Sequence, residues 1–392
     1  MKTIPYGKHY IDEDDIKSVV NVLKYKNLTQ GDEVDQFEKA VAKYVGAKYA
    51  VAVSSWTSGL HIAHLALNIV KKDKVITSPI TFVASSNSSL YVGAEPIFSD
   101  IDENTINLCP KRLEETINSH SGVKCIIPVH YAGLPCDMEQ IYKLANQNNL
   151  KIIEDAAHAL GAKYADGTMV GSCKYSEITG FSFHPVKSIA AGEGGMLTTN
   201  SFQTYKKLLR LRSHGINKLD DEFLNKKSAS TENISNPWYY EMQELGFNYR
   251  ITDIQCALGN SQLKKLNKFI EKRKKIVAKY DNAFRSFNNI RPIQLDDRAL
   301  SSFHIYVIRI NYLNAKITRA ELMTKLKSKG IITQVHYIPV VSQPYYQTLG
   351  YSIENLPNAN KFYDEALSIP LYFSLSDKDQ DFVISLLKKL IG

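Results

Sequence analysis

Two segments of the sequence place a charged side chain directly after an apolar, strand-like run. In residues 151–161 the run ends at Asp155, and in residues 180–187 it is followed by Lys187, just ahead of the glycine-rich stretch 192–195. Glycines there let the backbone approach closely. An acid and a lysine at the ends of two parallel strands can hold pyridoxal 5′-phosphate, with Lys187 as the imine and Asp155 against the ring nitrogen.

Each of these residues also has a plain structural interpretation. Lys187 could be a surface lysine, and Asp155 could cap a helix over residues 156–160. Together they favour the cofactor, because the carboxylate keeps the ring nitrogen protonated while the lysine moves a proton between carbon atoms. His158, about one helical turn past Asp155, is expected to support it by a hydrogen bond. His184 is equally compatible with a place in the core.

A further segment, residues 53–60, follows an apolar strand and opens a helix that begins with hydroxyl side chains. Free N–H groups and the helix dipole make such a start an anion site, so Thr57 and Ser58 are candidate phosphate contacts. Plain N-capping would need only one of them. Phe82 either stacks on the pyridine ring or packs in the core. The sequence contains no metal-ligand constellation, GxGxxG motif or P-loop.

The elements that must position these residues alternate through the first 200 residues. The candidate strands are rich in Val and Ile without polar alternation, as expected for strands covered on both faces. Strands that alternate with helices imply βαβ units and a mostly parallel sheet. The predicted strands are 49–53, 74–77, 95–98, 124–128, 151–154, 178–183 and 195–199, and the predicted helices are 58–69, 111–117 and 138–148.

The second half of the chain predicts a smaller α/β unit. A polar, turn-rich stretch over residues 217–237 is expected to be a surface excursion, and a long helical pattern covers residues 252–287. Beyond it the sequence predicts strands 303–310 and 332–336 and helices 319–328 and 377–390. The expected division is a large cofactor-binding domain, residues 1–250, and a small C-terminal domain, residues 251–392.

Composition narrows the class of protein. The 392 residues are 44% hydrophobic and 22% charged, which is ordinary for a globular chain. No apolar run approaches the roughly 20 residues that cross a bilayer, and no signal core opens the chain, so we expect a cytoplasmic protein. Five scattered cysteines indicate reduced thiols. The charge of +8 fits a basic surface or an anionic substrate such as a nucleotide diphosphate, and nucleic-acid binding is not expected.

Ordered motifs along nearly the whole chain resemble the DegT/DnrJ/StrS family of sugar aminotransferases. The resemblance implies the aspartate-aminotransferase fold (fold type I of the pyridoxal phosphate enzymes), with a mostly parallel seven-stranded sheet and a small C-terminal α/β domain. Some relatives carry histidine in place of the lysine and dehydrate the sugar, so Lys187 indicates transamination. The matching motifs lie at residues 28–31, 53–58, 128–133, 154–161, 181–187, 192–195, 212–215, 246–255 and 335–339.

The resemblance also implies roles for single residues. Lys187 matches the Schiff-base lysine, Asp155 the pyridinium partner and His158 its hydrogen-bonding neighbour. Asn248 matches a residue that reaches the phosphate from the other subunit, which implies a homodimer with shared sites. The other matching phosphate contacts are Thr57, Ser58 and Ser182, and the matching sugar-nucleotide residues are Tyr6, Lys26, Asn27, Leu28, Thr29, Gln334, Val335 and His336.

One position departs from the family pattern. Trp56 stands where relatives often carry a small residue such as alanine. A bulky indole at that position is expected to narrow the sugar pocket or to stack on the ligand. The departure bears on the substrate and leaves the chemistry of the lysine unchanged.

Within the family, the chain is most similar to the group that serves pseudaminic acid biosynthesis. The resemblance implies transfer of an amino group from L-glutamate, which leaves 2-oxoglutarate, to the 4-keto group of a UDP-linked 4-keto-6-deoxy-N-acetyl-hexose. One alternative is a nucleotide-sugar aminotransferase acting on the epimeric D-configured UDP 4-keto sugar. A second is a non-catalytic sensor or regulator, which predicts a degraded cofactor site. Lys187, Asp155 and Ser182 are all present, which favours the enzyme.

Overall fold

The computed structural model describes residues 2–218, 223–293 and 300–392, and a seven-stranded sheet forms its centre. These strands are β1 (Tyr49–Val53), β2 (Lys74–Thr77), β3 (Glu95–Phe98), β4 (Val123–Ile127), β5 (Lys151–Asp155), β6 (Ile178–Ser182) and β7 (Gly195–Thr199). Their order in the sheet is β1-β7-β6-β5-β4-β2-β3. Strand β7 is antiparallel to both neighbours, and every other pair is parallel. The predicted mostly parallel sheet is confirmed, with every strand within one residue of its expected bounds.

Helices cover both faces of this sheet, which explains why its strands lack polar alternation. In the first half of the chain they are α1 (Glu13–Tyr25), α2 (Asp32–Val45), α3 (Trp56–Ala66), α4 (Ala84–Tyr91), α5 (Pro110–Ser119), α6 (Met138–Gln147) and α7 (Phe202–Arg212). Three of them were predicted, although α3 begins and ends earlier than its apolar pattern suggested. Apolar side chains on one face of the sheet surround Phe181 and Phe183, and those on the other face surround Leu60 and Ile153.

The segment after α7 forms short elements at the surface. They are β8 (Ile216–Asn217), α8 (Lys226–Ala229), β9 (Ser230–Thr231), β10 (Ile234–Ser235) and β11 (Glu241–Met242). Strand β9 pairs with β10, and β11 pairs back onto β8. The predicted surface excursion therefore contains two small hairpin-like pairings, and its residues 219–222 lie outside the described part of the chain.

The predicted helix over residues 252–287 is wrong in one respect, because the structure has two helices there. They are α9 (Asp253–Leu263) and α10 (Leu266–Phe284). Helix α9 packs on α1 and α2, whereas α10 runs on into the second core. At the break, Lys265 forms ion pairs with Asp12 and Asp15. The apolar pattern continues through the break because both helices have a buried face.

The C-terminal part contains a three-stranded antiparallel sheet with helices packed on it. Its elements are β12 (Ile290–Pro292), β13 (Tyr306–Ile310), α11 (Arg319–Ser328), α12 (Pro344–Thr348), α13 (Pro357–Glu365), β14 (Ala366–Ile369) and α14 (Asp377–Ile391). The predicted strand 303–310 begins only at Tyr306. The predicted strand 332–336 is wrong: the segment meets β14 at an isolated bridge between Gln334 and Ser368 and through a hydrogen bond between the His336 ring and the Ser368 hydroxyl, and then enters the cavity described below.

Apolar packing extends across the expected boundary at residue 250. Cys256 and Phe269 pack into the core of the large sheet, although both follow residue 250. Ile4 packs into the C-terminal core and pairs with Ile331. The division at residue 250 stays a prediction, and the packing favours a boundary inside α10. No helix among the described residues is long and apolar enough to cross a bilayer.

Candidate active site

A cavity of about 410 Å³ opens beyond the carboxyl ends of β5 and β6. This is where ligands bind in open parallel sheets, because the ends of neighbouring strands bring their loops together. Nine residues selected from the sequence line it, namely Tyr6, Trp56, Thr57, Phe82, Asp155, His158, Ser182, Lys187 and His336. The cavity therefore unites residues from both ends of the chain with residues from the sheet.

Asp155 is the last residue of β5, and its carboxylate is almost fully buried. Oδ1 accepts a hydrogen bond from the indole N–H of Trp56 at 2.8 Å and one from the backbone N–H of Ala157 at 3.2 Å. Oδ2 accepts from the hydroxyl of Ser85 at 2.6 Å. A carboxylate has about four acceptor positions, so one remains, on Oδ2. The capping alternative is wrong, because residues 156–160 form turns and no helix, although Asp155 accepts from the N–H two residues further along the chain.

Lys187 follows β6 in a tight turn, in which its backbone N–H donates to the carbonyl of His184 at 2.8 Å. Burial of the amine lowers the pKa of Lys187 to about 8, and the charge of Asp155 opposes part of that shift. A neutral amine is therefore accessible near physiological pH, which a nucleophile and proton carrier requires. His184 is exposed at the rim of this cavity, so its alternative place in the core is wrong.

The first turn of α3 faces the cavity with its hydroxyl side chains. Ser55 is the N-cap, and its hydroxyl accepts from the N–H of Ser58 at 3.1 Å. Ser58 reciprocates, because its hydroxyl accepts from Ser55 N–H at 3.1 Å and donates to the Ser55 carbonyl at 2.7 Å. Ser58 therefore serves the cap, and its phosphate contact stays a prediction. Thr57 lines the cavity, and its hydroxyl has no partner among the described residues.

His158 does not bind Asp155, so the expected hydrogen bond is wrong. Its Nε2 is 3.0 Å from the hydroxyl of Tyr337, and its ring lies 4.3 Å from that of His304. Asp155 already has three donors, which leaves the histidine to face the other way. Burial together with the nearby Lys187 amine lowers the pKa of His158 well below its usual value, and the ring is neutral.

Two residues of the site were not identified from the sequence. Tyr337 lies inside a quoted motif, residues 335–339, but only the structure shows its hydroxyl on His158 and its ring 6.4 Å from that of Phe82. Ser85 lies in a serine-rich stretch after β2 that carries no recognisable pattern. Phe82 is 59% exposed, so the core alternative for it is wrong, and its ring is free to face a ligand.

Several expected substrate and cofactor contacts lie outside the cavity lining. Lys26 forms an ion pair with Glu33, and its neighbours Asn27, Leu28 and Thr29 precede α2. Gln334 uses its side-chain oxygen to accept from the N–H of Val335 at 2.9 Å. Asn248 is exposed and is bridged to Ser213 through the backbone. The roles of these residues stay predictions.

Trp56 lies deeper in the cavity than expected from the sequence. Only 5% of its surface is exposed, and its indole packs over Gly180 of β6 while its N–H reaches Asp155. Its ring therefore belongs mainly to the floor of the cavity. The expected effect on the sugar pocket stays a prediction.

A lysine and an aspartate at adjacent strand ends, below a helix N-terminus, define the site of a pyridoxal phosphate enzyme. The family model of the DegT/DnrJ/EryC1/StrS aminotransferases matches residues 9–388, and the chain belongs to this family of sugar aminotransferases. It is 39% identical over 390 residues to the spore coat polysaccharide biosynthesis protein SpsC of Bacillus subtilis (strain 168), covering 99% of this chain and 97% of that protein.

A second relative carries a more specific name. The chain is 38% identical over 381 residues to the UDP-4-amino-4,6-dideoxy-N-acetyl-beta-L-altrosamine transaminase of Campylobacter jejuni subsp. jejuni serotype O:23/36 (strain 81-176), covering 97% of this chain and 95% of that protein.

Solved structures agree with the fold. PseC of Helicobacter pylori, an aminotransferase involved in the biosynthesis of pseudoaminic acid, superposes with a TM-score of 0.89 at 30% identity, covering 100% of this chain and 99% of that one. Spr1654 of Streptococcus pneumoniae, a proposed sugar aminotransferase in its pyridoxal phosphate form, gives 0.88 at 28% identity, covering 99% and 98%. The protein is an aminotransferase of this fold, and pyridoxal phosphate is its cofactor.

The residues of the cavity fit this cofactor. Asp155 keeps one acceptor position for a ring N–H, and Lys187 offers an amine with a pKa of about 8 for the aldehyde. The N-terminus of α3, with the hydroxyl of Thr57, supplies N–H groups for a phosphate. Each part of the cofactor thus has a matching group on this chain.

Proposed function

We propose that this aminotransferase transfers the amino group of L-glutamate to the 4-keto group of a UDP-linked 4-keto-6-deoxy-N-acetyl-hexose, the amination step of pseudaminic acid biosynthesis. The observation that carries the proposal is the position of Lys187 and Asp155 in the same cavity as Tyr6 and His336, two of the expected sugar-nucleotide residues. The names of the Campylobacter jejuni transaminase and of PseC support the choice of substrate.

The cofactor, once bound, supplies an electron sink that stabilises negative charge next to the reacting carbon. With the cofactor bound, Lys187 would hold it through its amine, and the same amine, neutral once free, would take a proton from the amino acid carbon and carry it within the site. In the half-reaction of the keto sugar the same amine would supply the proton. Three donors hold the carboxylate of Asp155 in place.

The residues around the lysine control charge and water. His158 and His336 both have a lowered pKa, that of His336 to about 4, because they are buried and close to the Lys187 amine. Neutral rings at both positions keep additional positive charge away from the lysine. Tyr337, half-buried between them, shares a hydrogen bond with His158 and lines that wall of the cavity.

The enzyme acts as a homodimer with shared sites, in which Asn248 of the partner subunit contacts the phosphate. Support comes from the segment just before Asn248, where four apolar side chains are each more than 70% exposed. They are Leu224, Ile234, Trp238 and Leu245. Exposed apolar side chains grouped on one short segment mark an interaction surface. The expected cytoplasmic location stays a prediction.

The first test is the absorbance spectrum of the purified protein before and after adding L-glutamate. We expect the band of the lysine-bound cofactor to give way to that of the amine form, with 2-oxoglutarate released in equal amount. D-glutamate is the matched control and leaves the spectrum unchanged. A colourless protein that stays colourless with added pyridoxal phosphate would favour the sensor or regulator and contradict the proposal.

The second test identifies the sugar. The amine form is mixed with each of the two epimeric UDP-linked 4-keto sugars, and return of the original band is followed. Faster return with the L-configured ketone supports the pseudaminic acid pathway. Faster return with the D-configured ketone would assign the enzyme to the other group of nucleotide-sugar aminotransferases.

A further inference from the structure

We infer that Trp56 is a positioning residue for Asp155: its indole N–H holds one carboxylate oxygen so that the other stays directed at the cofactor ring. The inference rests on the proposed function, because it assigns Asp155 to the ring nitrogen. It concerns a side chain of this protein that stands where relatives often carry a small residue.

The contact between Trp56 and Asp155 is short and shielded from solvent. The indole Nε1 lies 2.8 Å from Oδ1 of Asp155, and both side chains are about 95% buried. An indole N–H can only donate, so its partner must be the acceptor oxygen. A hydrogen bond to a charged acceptor in a buried place is stronger than a neutral one at the surface. The bond joins residues 99 positions apart in the sequence, the first turn of α3 and the end of β5.

The backbone beneath the indole is shaped to receive it. In the sheet, Gly180 of β6 is the direct partner of Asp155. A Cβ atom at Gly180 would lie 1.8 Å from the indole, and one at Gly59 of α3 would lie 2.8 Å from it. A glycine inside a strand weakens the strand unless another group needs the space, and here the indole fills that space. The ring is thus held in one orientation by packing before it makes its hydrogen bond.

The bond from Trp56 matters because of how the hydrogen-bond donors are distributed over the two carboxylate oxygens of Asp155. Trp56 and the N–H of Ala157 together fill Oδ1, whereas Ser85 fills only half of Oδ2. The remaining acceptor position is therefore on Oδ2. Without the indole N–H, Oδ1 would also have an open position, and the carboxylate would lose one of the three contacts that fix its rotation. A ring N–H would then meet a carboxylate that is less well oriented.

The small number of tryptophans in the chain makes it possible to remove this one N–H while keeping the shape of the ring. It contains two tryptophans, Trp56 and the exposed Trp238. In a Trp238→Phe background, growth on the benzothiophene analogue of tryptophan replaces only the indole at position 56. The analogue keeps the two fused rings and carries sulfur in place of the N–H. Trp56→Phe is the second variant, which removes the N–H together with part of the packing volume.

The measurements are the affinity for pyridoxal phosphate, read from the absorbance of the lysine-bound cofactor, and the pH at which that absorbance changes. We expect the analogue to weaken cofactor binding about tenfold, the effect of losing one hydrogen bond to a charged group. The pH midpoint rises, because a ring nitrogen that holds its proton less well withdraws fewer electrons from the bond to Lys187. Circular dichroism of the cofactor-free protein should show an unchanged fold, since the shape of the core is kept, and its unfolding temperature should fall only by the loss of one hydrogen bond.

The outcomes separate this inference from the proposed function. The inference would be overturned if the analogue protein kept its cofactor affinity within twofold and its pH midpoint unchanged. A loss of cofactor affinity seen only in Trp56→Phe would assign Trp56 a purely structural role. Glutamate is added to every sample at the end. Weaker cofactor binding in the analogue, but no spectral response to glutamate in the unaltered protein, would support the inference and overturn the proposed function.

Discussion

The two halves of the active-site cavity are built in different ways. The half proposed for the cofactor, here called the cofactor half, consists of Trp56, Thr57, Asp155, Ser182 and Lys187. The half proposed for the substrate, here called the substrate half, consists of Tyr6 and His336, and the expected sugar-nucleotide segments 26–29 and 334–335 lie outside its lining. Every member of the cofactor half lies at the end of a strand of one sheet, in the turn that follows it, or in the first turn of α3.

The substrate half depends on contacts between distant segments. Tyr6 and His336 meet with ring centroids 5.3 Å apart, and the carbonyl of Tyr6 accepts from the N–H of Leu371 at 2.9 Å. The N-terminal segment is anchored next to them, where Ile4 packs into the C-terminal core. The cofactor half is thus positioned by one sheet and the turns at its edge, whereas the substrate half depends on how the N-terminal segment packs against the C-terminal core.

The largest expected effect is that of Lys187→Ala. Removal of the proton carrier should lower kcat of the transamination at least about a thousandfold, in line with the contribution of positioned acid–base groups. Turnover is measured with glutamate and the keto sugar, and Lys143→Ala, at an exposed position of α6, is the control. Full turnover in the Lys187 variant would contradict the role assigned to Lys187 and, with it, the distinction between the two halves of the cavity.

The next effect is on the capture of pyridoxal phosphate by the cofactor-free protein as a function of pH. Only the neutral amine attacks the aldehyde, and the pKa of Lys187 is about 8, below its ordinary value. The rate should therefore reach half of its high-pH plateau at about pH 8 and be about a hundredfold below that plateau at pH 6, where about 1% of the amine remains neutral. Stopped-flow absorbance follows the reaction. A midpoint near the ordinary pKa of lysine would contradict the burial argument.

A third prediction tests the floor of the cofactor half. Gly180→Ala places a Cβ atom into the space of the Trp56 ring and should lower the free energy of unfolding by about 2 kcal/mol. Most of this loss should disappear in a Trp56→Ala background, because the two sites share one space. Urea unfolding measures both. Gly7→Ala is the control, since a Cβ there meets nothing within 4 Å. Equal losses of stability in both backgrounds would show that Gly180 and Trp56 do not share one space, which would contradict the prediction.

The smallest effect belongs to the substrate half. Gln334→Ala should raise KM for the keto sugar about threefold, the size of one hydrogen bond at an accessible position, while kcat and the spectrum of the cofactor stay the same. Gln347→Ala, exposed after the start of α12, is the matched control. A changed cofactor spectrum in the Gln334 variant would show that the two halves of the cavity are coupled.

Local patterns identified the sheet better than the helices. All seven of its strands were predicted because a buried strand is a short continuous apolar run with clear ends. Helix α4 was missed because its eight residues include four serines and little apolar periodicity. The hydroxyl of Ser88 donates to the carbonyl of Ser85 within that helix, and the hydroxyl of Ser86 donates to the carbonyl of Val83 just before it, so burial and local hydrogen bonds compensate for a weak helical pattern.

The sequence by itself determined where Asp155 and Lys187 lie, since each follows a strand whose end is visible in the order of residue types. It could not determine their partners. Trp56 reaches Asp155 across 99 positions, Ser85 across 70, and Tyr337 reaches His158 across 179. Only the tertiary structure decided those contacts, because they depend on how α3, α4 and the C-terminal segment pack around one edge of the sheet, and no local pattern records that packing.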